Sequence, residues 1–252
     1  MRQWSMVRCC LMTEGESQMK VGVLGTGMVG QALAGKLAAL GHDVAVGTRD
    51  PQETLARTEP DFLGNPPFAT WLDAHAGVRL GTPAEVAAEA ELIVNATNGS
   101  GSVAMLESAG EQNFAGKVLV DVTNPLDASH GMPPTLFVCN TDSLGEQIQR
   151  RFPEARVVKT LNTMNCQVMV DPAKVPDEHD VFVCGEDADA KHQVIELLEG
   201  FGWSAERVID LGGISSARGT EMYLALWVRL FGALGTGHFN ISIVRAPANA
   251  SL

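Results

Sequence analysis

The chain has 252 residues, 45% of them apolar, and 18 Lys and Arg against 30 Asp and Glu give it a net charge of −12. That length suits one α/β domain with a small appendage rather than two full domains. The acidic balance argues against nucleic acid and anionic membrane surfaces as partners. Cys9, Cys10, Cys139, Cys166 and Cys184 form no CxxC pair and no histidine sits at ligand spacing. They read as reduced thiols of a cytoplasmic protein, so neither a disulfide framework nor a metal site is expected.

Residues 1–18 have Arg8 inside their apolar stretch and no small-residue cleavage site after it. A secretory leader is therefore not expected. The segment reads as a disordered extension or the product of an upstream start codon, because Met19-Lys20 opens a fold directly. No apolar run is long enough for a membrane span, so no membrane partner is expected.

Residues 20–50, KVGVLGTGMVGQALAGKLAALGHDVAVGTRD, carry the most specific signal. A short apolar run leads into Gly25-Thr26-Gly27-Met28-Val29-Gly30, then a helical period of Leu33, Leu37 and Leu40, then a second apolar run, Val44 to Gly47. Strand, glycine turn, helix and strand within about thirty residues is the setting that makes GxGxxG a dinucleotide fingerprint. Gly25 allows the turn, Gly27 lets the backbone approach a pyrophosphate, and Gly30 lets the helix pack on the strand. The helix N-terminus then faces the phosphates with free N–H groups. A glycine turn without a ligand is the competing reading. The second strand ends at Thr48-Arg49, where an NAD site usually has an acid. A hydroxyl beside a guanidinium suits a 2′-phosphate, which favours NADP over NAD. Asp50 is placed to cap a helix starting at Pro51.

Further along, Pro51 to Ala76 is rich in breakers and reads as a short helix and a surface loop. Strands are predicted at 77–80, 91–96, 117–122, 156–161, 181–184 and 208–210. Helices are predicted after Thr82-Pro83, at 144–152, 188–200 and roughly 215–234. The alternation predicts a Rossmann-type, doubly wound parallel sheet with a short α/β C-terminal extension. Ligands sit at the carboxyl ends of such strands, where Thr97-Asn98, Thr123-Asn124 and Asn162-Thr163 fall, so these clusters read as a cofactor rim. The last helix, EMYLALWVRLF from Glu221 to Phe231, is apolar on nearly every face, and a second subunit is its simplest cover.

Missing residues exclude some chemistries. The one tyrosine, Tyr223, is followed four positions on by Trp227, so the Tyr-x-x-x-Lys pair of short-chain dehydrogenases is absent. No lysine follows Lys191, which removes the helical lysine of reductases of the six-phosphogluconate type. Abundant binding groups with few acids or bases suit hydride transfer between two ring cofactors, where orientation does most of the work.

The motifs VGVLGTGMVG, VGTRDP, GKVLVDVTNPL, VVKTLNTMN, VFVCGEDADAK and IDLGGISSARGTEM together resemble the coenzyme F420-dependent NADP oxidoreductases, and more distantly the oxidoreductase domain of the STEAP metalloreductases. The resemblance covers about residues 20–243. It implies a cytoplasmic homodimer with NADP bound through Gly25, Thr26, Gly27, Met28, Val29 and Gly30, and the 2′-phosphate at Thr48 and Arg49. A lysine that some members carry a few residues later is Glu53 or a neighbour here. Nicotinamide and ribose contacts map to Thr97, Asn98, Thr123, Asn124, Asn162 and Cys166, and acceptor contacts to His238 and Phe239. The implied small-molecule redox acceptor is F420 or a flavin such as FMN; a catalytically idle NADPH-binding sensor is the alternative. The expected organisation is an extension (1–18), an NADP-binding Rossmann domain (19–180) and a small part for substrate and dimerisation (181–252).

Overall fold

The structure, a computed structural model, describes residues 18–60 and 64–246. The expectations for residues 1–17, with Cys9 and Cys10, lie outside the described residues. The chain begins β1 (Lys20–Leu24), α1 (Met28–Ala39), β2 (Asp43–Gly47), α2 (Pro51–Ala56), α3 (Phe68–Asp73), β3 (Arg79–Gly81), α4 (Pro83–Glu89), β4 (Leu92–Asn95), α5 (Ser102–Ala109) and β5 (Val118–Asp121). A small hairpin of β6 (Leu126–Asp127) and β7 (Thr135–Leu136) follows, then α6 (Leu144–Arg151), β8 (Arg156–Thr160) and α7 (Cys166–Val170). The chain continues through β9 (Val181–Cys184), α8 (Ala188–Phe201), β10 (Val208–Asp210), α9 (Ala217–Met222) and α10 (Leu224–Leu234).

Eight strands form one sheet in the order β10-β9-β8-β5-β4-β1-β2-β3. Strands β3, β2, β1, β4, β5 and β8 are parallel, the doubly wound order with its switch point between β1 and β4. Helices on both faces bury the central strands, which is why β1 from Val21 on, β4 and β5 read as largely apolar runs. Two apolar clusters result, one packing α1 and α8 on the sheet and the other α4, α5 and α6.

The sheet departs from the predicted all-parallel arrangement at one edge. Strand β9 is antiparallel to β8, with Thr160 opposite Val183, and β10 is parallel to β9. The link between β8 and β9 has a single five-residue α-helix. The link otherwise holds a 3₁₀ turn at Pro172–Lys174, and β9 starts at the carboxyl end of β8 and runs back along it. The predicted helix at 215–234 is also divided, into a 3₁₀ turn at Ile214–Ser216, α9 and α10.

Local signals behave as their chemistry requires. Thr82 and Glu85 form the reciprocal capping box at the start of α4, behind Pro83. Asp50 accepts from the Glu53 N–H at 2.8 Å and caps α2, so its carboxylate is engaged at the helix start. No helix among the described residues is long and apolar enough to cross a membrane.

Candidate functional site

Two clefts open along the carboxyl edge of the sheet. The first, about 560 Å³, is walled by the glycine turn, Thr48, Arg49, Asp50, Glu53, Thr54, Arg57 and Thr97. Gly25 has φ +119°, in the region that glycine favours, and a Cβ there would lie 2.5 Å from the Ala96 carbonyl oxygen. A Cβ on Gly30 would lie 2.0 Å from the Gly25 carbonyl oxygen, so helix α1 and its turn touch through backbone alone. Gly27 differs: it caps α1, and a Cβ there would meet nothing within 4 Å. Its open side faces the cleft, at the free N–H groups of a twelve-residue helix. That is the shape a pyrophosphate requires.

At the far end of this cleft Thr48 is buried, with Oγ1 2.9 Å from Thr54 Oγ1. Arg49 is exposed and has no ion pair or side-chain hydrogen bond among the described residues. One helix later, Arg57 donates to Glu53 at 2.8 Å from the same wall. The structure thus supplies a second cation on the wall that holds Thr48 and Arg49. Sequence reading missed Arg57 because it follows the strand end by eight residues and only α2 folds it back.

The second cleft, about 1040 Å³, is mostly apolar. Met28 and Val29 form one wall, Val103, Leu126 and Phe137 another, and Leu144, Met164, Trp227, Val228 and Phe231 the rest. Asn98 lines both clefts, so they meet at the Thr97-Asn98 turn. Cys166 also lines the second cleft; burial pushes its thiol up, as burial pushes Cys184 up to about 12. Both are held as neutral thiols at neutral pH.

The remaining rim residues hold one another. Thr97 donates from its hydroxyl to Asn95 Oδ1 at 2.8 Å, and Thr123 donates from its hydroxyl to Asp121 Oδ1 at 2.7 Å. Asn124 Nδ2 donates to the Asn162 carbonyl at 2.8 Å, and Asn162 Nδ2 returns a bond to Asn124 Oδ1 at 2.9 Å. The side chains of Thr123, Asn124 and Asn162 are thus tied to neighbouring rim groups. His238 is exposed, its N–H donating to Thr236 Oγ1 at 3.1 Å. Phe239 stacks on Trp227 with ring centres 5.4 Å apart, and Trp227 stacks on Phe231 at 5.5 Å. Phe239 backs the aromatic wall while Trp227 and Phe231 present it.

Below the rim Lys159, Asp121 and Glu221 meet in the interior, with Lys159 Nζ 2.8 Å from a carboxylate oxygen of each. Burial works to lower the Lys159 pKa, but the attraction of Asp121 and Glu221 outweighs it and holds the ammonium above its ordinary value. A lysine inside the apolar run VVKT and a lone glutamate at the head of an apolar helix were the sequence signs of this cluster.

Residues 20–125 match the family described as NADP oxidoreductase coenzyme F420-dependent. Over 216 residues the chain is 30% identical to the F420-dependent NADP reductase of Methanothermobacter marburgensis, across 84% of this chain and 92% of that one. The chain belongs to the coenzyme F420-dependent NADP oxidoreductase family. A crystal structure of a "putative f420 dependent nadp-reductase" from Arthrobacter sp. FB24 is 59% identical, with a TM-score of 0.85, over 90% of this chain and 100% of that chain. Rat metalloreductase STEAP3 is 27% identical over 202 residues, 80% of this chain but 36% of that protein, so the chain spans about a third of it. As a member of this family the chain is an NADP-dependent oxidoreductase with a Rossmann-type fold.

Proposed function

We propose that the chain transfers hydride between NADPH and a flat deazaflavin or flavin, F420 or FMN, held in the apolar cleft. The observation that carries this reading is the junction at Asn98: a polar cleft shaped for a dinucleotide runs into a larger aromatic-walled one. Gly27 and the α1 N-terminus receive the pyrophosphate, Thr48, Arg49 and Arg57 receive the 2′-phosphate, and Met28, Val29 and Cys166 border the nicotinamide. When bound, NADPH supplies the hydride. The net reaction takes NADPH, the oxidised acceptor and one proton to NADP⁺ and the reduced acceptor. Trp227 and Phe231 stack the acceptor ring, and the apolar walls keep water from the transfer path. Thr123, Asn124 and Asn162 fix the rim, and Phe239 sets the Trp227 ring.

The acceptor part functions as a homodimer. Leu226 and Leu234 of α10 are 54% and 56% exposed on the single chain, and a second copy laid on α10 removes them from water. Leu226→Glu should give monomers by sedimentation where the wild type sediments as a dimer.

Turnover of NADPH with F420, FMN, FAD and quinones, with Gly27→Val as the blank, tests the reading. Turnover with F420 or a flavin supports it. Tight NADPH binding with no acceptor reduced would leave the idle-sensor alternative standing.

A further inference from the structure

The buried cluster of Lys159, Asp121 and Glu221 lines neither cleft, and each of the three is at most 1% exposed. One cation faces two carboxylates, and Lys159 Nζ also donates to the Thr123 carbonyl at 2.6 Å. Replacing such a cluster by apolar side chains is often neutral or stabilising, so net stability is a weak reason for it. Its connections are more informative, because both arms end at the site.

On the cofactor side, Asp121 Oδ1 accepts from the Thr123 N–H, the Thr123 hydroxyl and Asn95 Nδ2, and Asn95 in turn accepts from the Thr97 hydroxyl. On the acceptor side, Glu221 accepts from the N–H groups of Leu144 and Gly145 at 2.8 and 3.0 Å. These are the first two residues of α6, where unpaired N–H groups and the helix dipole favour an anion. Helix α6 presents Leu144 and Gln147 to the apolar cleft, and α9, which holds Glu221, continues through Tyr223 into α10 with Trp227 and Phe231. In the interior between α6 and α9 the packing is small and apolar: a Cβ on Gly145 would lie 3.1 Å from the Ala217 Cβ and 3.4 Å from Ile214 Cδ1. Nearer the surface Arg218 of α9 donates twice to the Glu146 carboxylate of α6, at 2.8 and 2.6 Å. Apolar contact is non-directional, so it excludes water without setting how far one helix slides along the other. The bonds to Glu221 are directional and fix that distance in the interior, and unlike the Arg218–Glu146 pair they also tie both helices to Lys159.

We infer that Lys159, Asp121 and Glu221 are positioning residues that hold the acceptor-binding walls, α6 and α9–α10, in register with the cofactor rim at Thr97 and Thr123. The inference rests on the apolar cleft being the acceptor site. Lys159 is the hinge pin: it grips the rim through Asp121 and the Thr123 carbonyl, and the acceptor half through Glu221.

The test uses the intact chain, F420 or FMN as acceptor, and two variants. Glu221→Gln removes one charge and one accepting oxygen; Glu221→Asp keeps the charge on an arm too short to serve both Lys159 and α6. In each, kcat/KM for the acceptor should fall about tenfold or more while the NADPH Kd moves less than about twofold. Hydrogen exchange at the start of α6 should quicken in both. Leu198→Ala, a core truncation in α8, should lower the unfolding temperature and leave acceptor kinetics unchanged. Glu221 variants that lose stability but keep acceptor kinetics would overturn the inference, as would equal losses of NADPH affinity and acceptor turnover. If Glu221→Gln does not fold, Glu221→Asp decides; insolubility of both beside a soluble Leu198→Ala would show a purely structural cluster and overturn it. A wild type that reduces no acceptor would overturn the proposed function and this inference together, whereas an active wild type with unaltered Glu221→Asp kinetics overturns the inference alone.

Discussion

The two clefts are built on opposite plans. The cofactor cleft comes largely from one stretch of chain, the glycine turn between β1 and α1 and the strand end at Thr48-Arg49, and its tight contacts are backbone on backbone. The acceptor cleft draws side chains from α1, α5, the β6–β7 hairpin, α6, the start of α7 and α10. A local, backbone-made site tolerates little and recognises a group common to all dinucleotides. A site gathered from distant side chains can be reshaped one residue at a time, and that is where we propose the acceptor is selected.

The largest expected effect sharpens this contrast at two neighbouring glycines. Gly27→Val should fold, since its side chain enters open space, yet lose about a hundredfold or more in NADPH affinity, roughly 3 kcal/mol, in a fluorescence titration. Gly30→Val should instead damage the fold, because its Cβ would fall on the Gly25 carbonyl oxygen. Gly27→Val that binds NADPH normally would break the comparison.

Arg49→Ala comes next. It should weaken NADPH binding by about 1.5–3 kcal/mol and leave NADH binding nearly unchanged, the scale of hydrogen bonds to a charged group. Equal losses for both cofactors would place the 2′-phosphate elsewhere. Arg57→Ala should show the same preference at smaller size, since Arg57 already shares its charge with Glu53.

In the acceptor cleft, Trp227→Ala should raise the acceptor KM by about tenfold without altering NADPH affinity, given the worth of an aromatic stack. Phe239→Ala should do the same more weakly, because that ring supports Trp227 from behind. A larger effect from Phe239 than from Trp227 would reverse the roles assigned to them.

The smallest effects concern acid and thiols. Hydrogen bonding from Arg150 lowers the Asp142 carboxyl from 3.8 to about 2. A depressed carboxylate contributes stability above its unfolded pKa and loses it as pH falls through the folded one. The unfolding temperature should therefore drop between pH 3.8 and about 2, and Asp142→Asn should flatten part of that drop by a modest amount, the pair being largely solvated. Alkylation at neutral pH should modify Cys139, which is exposed, and spare Cys166 and Cys184. Ready labelling of Cys166 would mean that the nicotinamide end of the site is far more open.

What could be read in the sequence follows the same division. Glycine spacing, the Asp50 cap and the helix start at Thr82-Pro83 are all short-range patterns, and each folds as its local chemistry dictates. The reversed β9 was not legible, because an apolar run such as Val181–Cys184 gives no strand direction. Trp227 and Phe231 looked like any apolar helix face until α10 folded over the α6 wall. The rim motifs were visible, but not that Asn124 and Asn162 bond to each other, since pairs 38 residues apart leave no periodic trace.

The most direct measurement mixes the purified chain with NADPH and F420 and follows both absorbances in one anaerobic cuvette. NADPH should be oxidised and F420 reduced in equal amounts, in the wild type but not in Gly27→Val. NADPH bound at the glycine turn with neither F420 nor a flavin reduced would contradict hydride transfer across the Asn98 junction.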